Sequence, residues 1–272
     1  MAGLPALVLG LAALAAATPA STPASIPTRT RPDAVGDVYR FKSEARYAER
    51  NADGMGAQVN SQVFELEVLG VSPDGLKLRY TLKEATVSDT SGPAMKAPLQ
   101  STVGAPLEFR VDRNGQLAGL DNWPDFKARV LAAIDARLPA GDEVRNIVHQ
   151  RMDQAPTDAA QDMVLGDLAL MRGLEARGTV ATGRAESMDM RRRPPAKVVT
   201  DTSVKAPGCV LAVHRVTSGS SAGIVQTTTA DAEVSVKDGR VLSLTQTRIE
   251  RAGASVIDER LRVTRLSGPP AC

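Results

Sequence analysis

Pro106-Leu-Glu-Phe-Arg-Val-Asp-Arg-Asn-Gly-Gln-Leu-Ala-Gly-Leu120 is the stretch on which the fold turns. Leu107, Phe109 and Val111 alternate with Glu108, Arg110 and Asp112, the period of two of a half-buried strand. Asn114-Gly115 is expected to supply the positive backbone angles of a tight hairpin, and Leu117 begins the return strand. Directly afterwards Asn122-Trp-Pro-Asp125 opens a helix. A β half of the chain here hands over to an α half, and similar strand–turn–strand patterns recur on both sides.

Upstream, Gly36 to Arg50 places Tyr39, Phe41, Ser43, Ala45 and Tyr47 on one face and charged residues on the other. A second strand spans Gln58 to Val71, with Phe64, Leu66 and Val68 opposite Glu65 and Glu67. Ser72-Pro-Asp-Gly75 is a strong turn, and Leu76, Leu78, Tyr80 and Leu82 mark a third strand. These three read as an antiparallel meander with one wet face. Residues 88–105 read as loop.

From Trp123 the period lengthens. Phe126, Val130, Leu131, Ile134 and Leu138 form one helical stripe, with Asn122 at the N-cap and Pro124 in the first turn. A second helix is expected over Asp142–Gln154, and a third from Thr157 to about Arg177 with Val164, Leu168, Met171 and Leu174 inward. Residues 178–207 show little pattern; the basic run Arg191-Arg-Arg193 reads as a solvated loop. Strands return with Cys209, Leu211 and Val213, then over 224–236, 241–250 and 256–266, with Lys237-Asp-Gly-Arg240 as a hairpin turn. The stretch Phe109–Leu117 resembles Val234–Leu242, as recurring hairpin chemistry on irregular spacing.

The 272 residues carry a net charge of +2, which gives no bulk attraction to nucleic acid, and aromatics at 3% are too few for a base-stacking or glycan-binding platform. Residues 1–20 lack charge, and Leu4 to Ala17 is an apolar run ending at Thr18-Pro-Ala20. They read as a secretory signal cleaved after Ala20 or Ala17, which leaves no transmembrane span and makes the protein periplasmic or secreted. Residues 21–35 read as a disordered Ser/Thr/Pro linker, 36–266 as one β-rich domain with the helical insertion 123–177, and 267–272 as a tail; breaks near 120 or 180 are the two-domain alternative. Cys209 and Cys272 are disulfide candidates in an oxidising compartment.

No catalytic, cofactor or metal signature emerges. His149 and His214 lack metal-ligand spacing, and Asp153 reads as a surface contact of His149 one turn away. Gly219-Ser-Ser-Ala-Gly223 has Gly-x-Ser-x-Gly spacing but reads as a Gly/Ser linker before a strand rather than a nucleophile elbow, Gly54-Met-Gly56 precedes no helix, and Glu65 with Glu67 reads as a solvated strand face. The expected class is therefore α+β and mainly antiparallel β: a curved sheet or half-barrel with two or three helices packed on one face.

This order of strands, helical insertion and strands resembles the β half-barrel with a helical lid of periplasmic lipoprotein carriers, over roughly residues 36–266. The resemblance implies an apolar concave face partly covered by helices and a cavity for an apolar ligand such as a lipid acyl chain. The function expected is non-enzymatic binding, with no cofactor. An envelope interaction module with a protein partner, and a hydrolase with an unrecognised site, are the competing expectations.

Overall fold

The computed structural model describes residues 24–51, 54–89, 96–154, 157–190, 195–205 and 208–269. The N-terminal part forms β1 (Ser25–Pro27), β2 (Val38–Asn51) and β3 (Gly54–Ser72); β4 (Gly75–Asp89) and α1 (Lys96–Ser101) follow. Then come β5 (Pro106–Asp112), β6 (Leu117–Leu120) and the helices α2 (Trp123–Asp135), α3 (Glu143–Gln154) and α4 (Thr157–Arg172). The C-terminal part is all strand: β7 (Thr179–Ala181), β8 (Gly183–Asp189), β9 (Ala196–Lys205), β10 (Val210–Ser221), β11 (Ile224–Ser235), β12 (Val241–Ala252) and β13 (Ser255–Ser267).

Eleven strands make one antiparallel sheet in the order β6-β5-β4-β3-β2-β13-β12-β11-β10-β9-β8, and β1 pairs with β7 in a small second sheet. Sequence neighbours pair throughout the large sheet except at β2–β13, where its two halves meet. Helices α2 to α4, with β7, connect β6 to β8, the two sheet edges, and so must run from one edge to the other. Helix α4 packs against both β6 and β12, which stand six strand spacings apart in the sheet order. In a flat sheet that separation would be about 29 Å, against a helix diameter of about 10–12 Å. The sheet curls around the helices without closing, which brings both strands to α4.

Alternation puts Tyr39, Phe41, Phe64, Leu66, Val68, Leu78, Leu107 and Phe109 on the concave face, all buried. Phe41 stacks on Phe64 with centroids 5.4 Å apart, and Phe64 meets Tyr80 at 5.3 Å. Phe126 and Val130 of α2 and Leu165, Leu168 and Met171 of α4 close over them. The convex face carries cross-strand ion pairs instead. Arg79 reaches Glu67 and Glu108, Lys77 reaches Glu108 and Asp121, and Lys83 reaches Glu65 at 3.0 Å. The Glu65/Glu67 face is thus an ion-paired outer surface.

Several local expectations change. Of Asn114-Gly115 only Gly115 has positive φ (76°); Gly115 N–H donates to the Asp112 carbonyl and Gln116 N–H to the Asp112 carboxylate, making a longer loop than a two-residue turn. Asn122 makes no side-chain cap. Its Oδ1 accepts from Glu108 N–H (2.7 Å) and its Nδ2 donates to the Pro106 carbonyl, clamping the start of β5 to the start of α2. Residues 88–105 hold the end of β4 and α1, and 178–207 hold β7, β8 and β9. Helix α4 ends at Arg172 rather than near Arg177.

Residues 24–35 are not a free linker. β1 pairs with β7, Thr28 N–H donates to the Gly178 carbonyl, and Arg29 and Arg31 N–H donate to the carbonyls of Val236 and Lys237. This strand delivers Asp33 to Arg240, which is 1% exposed. The Arg240 guanidinium binds Asp33 at 2.6 Å and Glu175 at 3.2 Å and lies 4.3 Å above the Tyr39 ring. Arg29 bridges the same two carboxylates, Arg177 adds a contact to Glu175, and Arg265 holds buried Asp238 at 2.7 Å. Lys237-Asp-Gly-Arg240 is the hairpin turn expected from the sequence, and its Asp238 and Arg240 are buried at the polar centre of the interior. A Cβ at Gly239 (φ 71°) would overlap the Ala176 carbonyl oxygen, so glycine is required there.

Burial opposes ionisation of Glu175, but Arg240, Arg172, Arg29 and Arg177 overcome it and hold its pKa below the ordinary carboxylate range. A lowered folded-state pKa means the pairing contributes above the unfolded value and is lost as pH falls through the folded one. Arg240→Met leaves two buried carboxylates short of a partner; we expect a loss of about 3–5 kcal/mol in urea unfolding at neutral pH. A loss below about 1 kcal/mol, the range of an exposed pair, would show that the network does not hold the fold.

Candidate ligand-binding cleft

Strand register lays the concave face out in rows. One row, Thr202, Val213, Ala232, Leu244 and Val263, is mostly apolar and buried. The next row on this face is Thr200, Arg215, Ala230 and Gln246, followed by Val198, Thr217, Thr228 and Arg248. The helices cover the apolar rows. Beyond their reach the same face turns polar.

Between the C-terminal end of α4 and these polar rows lies a cleft of about 700 Å3. The β5–β6 loop at Gly115–Leu117 forms one wall, Leu170 and Leu174 another, and β8 to β12 the floor. Two hairpin loops therefore dock on the α4 terminus: Gly115 carbonyl accepts from Arg172 Nε at 3.0 Å, and Gly239 carbonyl from Ala176 N–H at 2.9 Å. They are the loops of the two stretches whose sequences resemble each other. The concave face expected to be apolar is so only under the helices; its open part combines Leu117, Leu170, Leu174 and Val198 with threonines, Gln246 and two arginines.

Arg172 is 5% exposed. Beyond its Nε bond, neither Nη1 nor Nη2 has a hydrogen-bond partner among the described residues. Burial pulls its pKa down to about 10, with Glu175 acting in the opposite direction. Arg215 donates from Nη1 to the Gly173 carbonyl at 3.0 Å, while its Nε is buried without a partner among the described residues. Burial lowers its pKa as well. Thr228 Oγ1, on the cleft floor, is likewise unpartnered among them.

Asp167, one turn earlier on α4, is half-buried and accepts from Ser43 Oγ at 3.3 Å. Burial raises its pKa, and the Ser43 hydroxyl pulls the other way. Its charge in turn helps push the buried Tyr80 phenol up, after desolvation.

The side chains singled out in the sequence are not brought together. His149 Nε2 contacts Asp135 at 2.7 Å, not Asp153, which pairs with Lys127. His214 pairs with its cross-strand neighbour Asp231 at 2.7 Å on the convex face. Among the described residues no group of His, Cys, Asp and Glu is placed to hold a metal ion, and no helix is long and apolar enough to cross a membrane. Cys209 precedes β10, its carbonyl accepting from Val236 N–H; Cys272, the signal segment 1–20 and Arg191–Arg193 lie outside the described residues. Sequence reasoning missed Arg172 and Arg215. Arg172 sits where a helix-ending cation is ordinary, so only its burial marks it.

No protein-family model matches the chain, and no curated protein matches it. Among solved structures, lipovitellin, in a structure describing its lipid–protein interactions, is similar over 88% of this chain at 11% identity and a TM-score of 0.51. The chain spans about a quarter of that protein's length, 26%. A putative outer-membrane lipoprotein-sorting domain from Vibrio parahaemolyticus aligns over 85% of the chain and 87% of its own at 9% identity, with a TM-score of 0.18. The likeness to lipovitellin is one of fold, an open, curved antiparallel sheet wrapped on helices, and agrees with the curved-sheet architecture expected from the sequence.

A raised folded-state pKa for Asp167 means that stability falls as pH rises from the unfolded value through the folded one. Asp167→Asn should therefore unfold at higher urea than wild type at about pH 7, with the difference disappearing by about pH 3. Equal stability at both pH values would show that the carboxylate is not strained by burial.

Proposed function

We propose that this chain is a non-enzymatic binding protein that holds a lipid-like ligand in the cleft between α4 and strands β8 to β12. The observation that carries the reading is the half-covered concave face: helices fill one part of it and leave a cleft of about 700 Å3 over the rest. That volume falls within the roughly 300–1,000 Å3 usual for small-molecule sites. Leu117, Leu170, Leu174 and Val198 offer an acyl chain an apolar flank. The threonine rows beside them favour a ligand that also carries polar groups. The fold is compatible with such a role.

The proposal includes export, with residues 1–20 removed as a signal, and a Cys209–Cys272 disulfide. Intact-mass analysis of protein made with its own leader tests both: a chain beginning at Ser21 and lighter by the thiol hydrogens of one pair is expected. Retention of residues 1–20 or two alkylatable thiols would remove these parts of the proposal.

Organic extraction of the same protein, purified without detergent, should release a stoichiometric lipid-like molecule detectable by mass spectrometry. Thr217→Trp fills the floor of the cleft from a partly exposed position and should abolish that molecule while leaving the urea midpoint close to wild type. A ligand unaffected by Thr217→Trp would place binding elsewhere.

A further inference from the structure

The cleft has a feature that an acyl-chain site does not require. Arg172 is buried, and its guanidinium is fixed by the single bond from Nε to the Gly115 carbonyl. Both Nη groups are unpartnered among the described residues, and so is Arg215 Nε on the facing strand. A buried, half-satisfied cation is costly, and structures normally answer it with an anion. The nearby carboxylates are committed. Glu175, whose charge also acts on Arg172 without a hydrogen bond to it, is shared by Arg29, Arg177 and Arg240, and Asp33 by Arg29 and Arg240. Asp189 also lines the cleft but brings one negative charge against two arginines.

We infer that Arg172 and Arg215 form a recognition site for an anionic group, a phosphate or carboxylate, on the ligand that the cleft holds. The geometry of a guanidinium tethered at Nε leaves its two Nη groups side by side, the arrangement that binds two oxygens of one anion. Thr228 Oγ1 supplies a hydroxyl on the cleft floor. The aliphatic flank of Leu170 and Leu174 then receives the chain to which the anion is attached. This site rests on the reading of the cleft as a lipid site, but its anion chemistry is separable from it.

The test is equilibrium binding of hexadecyl phosphate, hexadecanoate, hexadecanol and inorganic phosphate to the full-length exported protein. We expect the two anionic amphiphiles to bind at least about tenfold tighter than hexadecanol, as one charge-assisted pair allows. Arg172→Gln should erase that preference without weakening hexadecanol, and Arg172→Lys should restore part of it. Should Arg172→Gln fail to fold, the wild-type comparison and Arg215→Gln carry the decision. Equal affinity for hexadecanol and hexadecyl phosphate would overturn the anion site while leaving the lipid cleft standing. Binding of inorganic phosphate alone, lost in Arg172→Gln, would support the anion site as one for a free anion and overturn the lipid reading. No binding of any probe would overturn both.

Discussion

The ion pair between Arg240 and the carboxylates of Asp33 and Glu175 is the interaction on which the rest of the structure depends. It lies where four otherwise independent parts meet: the N-terminal β1 segment, the end of the helical strap, the β11–β12 loop and Tyr39 on β2. Three of the parts bring a charge that is unfavourable to bury alone, and Tyr39 brings the ring that the guanidinium faces. Paired and hydrogen-bonded, the charges satisfy each other; unpaired, each would carry a desolvation cost of several kcal/mol. The network therefore specifies how the parts fit as much as it adds to stability. Its neighbours continue it. Arg265 reaches Asp238 from β13, and Arg31 holds Asp37 through both carboxylate oxygens.

With the loops docked this way, α4 is held at its C-terminal end, and its position decides what the concave face does. Strands of constant alternation present one face along their whole length, yet that face is not uniform. It is aromatic and aliphatic beneath α2 and α4, and becomes threonine, glutamine and arginine beyond them. A sheet curled around a helix has an interior only as long as the helix covering it. Where cover ends, the inward face must tolerate water or a ligand, and the polar rows are the record of that.

Much of this architecture is legible in the sequence. Period-two alternation in β2 to β5 and β10 to β13 sets inside from outside, and the lengthened period after Trp123 marks the strap. What escapes is long-range. Asp238 and Arg240 look like turn residues, because nothing local shows that Asp33, 207 positions from Arg240, is folded back against them. Ser21 to Pro32 has the composition of a linker, yet its later part is held by backbone hydrogen bonds to β7 and to the β11–β12 loop. Asn122 has the right type and place for a helix cap, but tertiary contacts to Pro106 and Glu108 claim its amide. The cleft arginines are invisible for the same reason: partners define them, not neighbours in sequence.

The β2–β13 seam carries a consequence of its own. Read from β8, the large sheet runs β8 to β13 and then β2 to β6, each strand beside the next, so that Ser267 ends opposite Arg40. The arrangement is a single up-and-down ribbon whose chain has been cut in the middle and rejoined, edge to edge, by the helices. A nascent chain emerging from its N-terminus first makes one half of the ribbon with an open flank at β2, the strand destined for the centre. That flank stays unpaired until the last strand arrives. Assembly of this molecule therefore includes a closing step, in which an edge left open by the N-terminal half becomes the middle of the sheet.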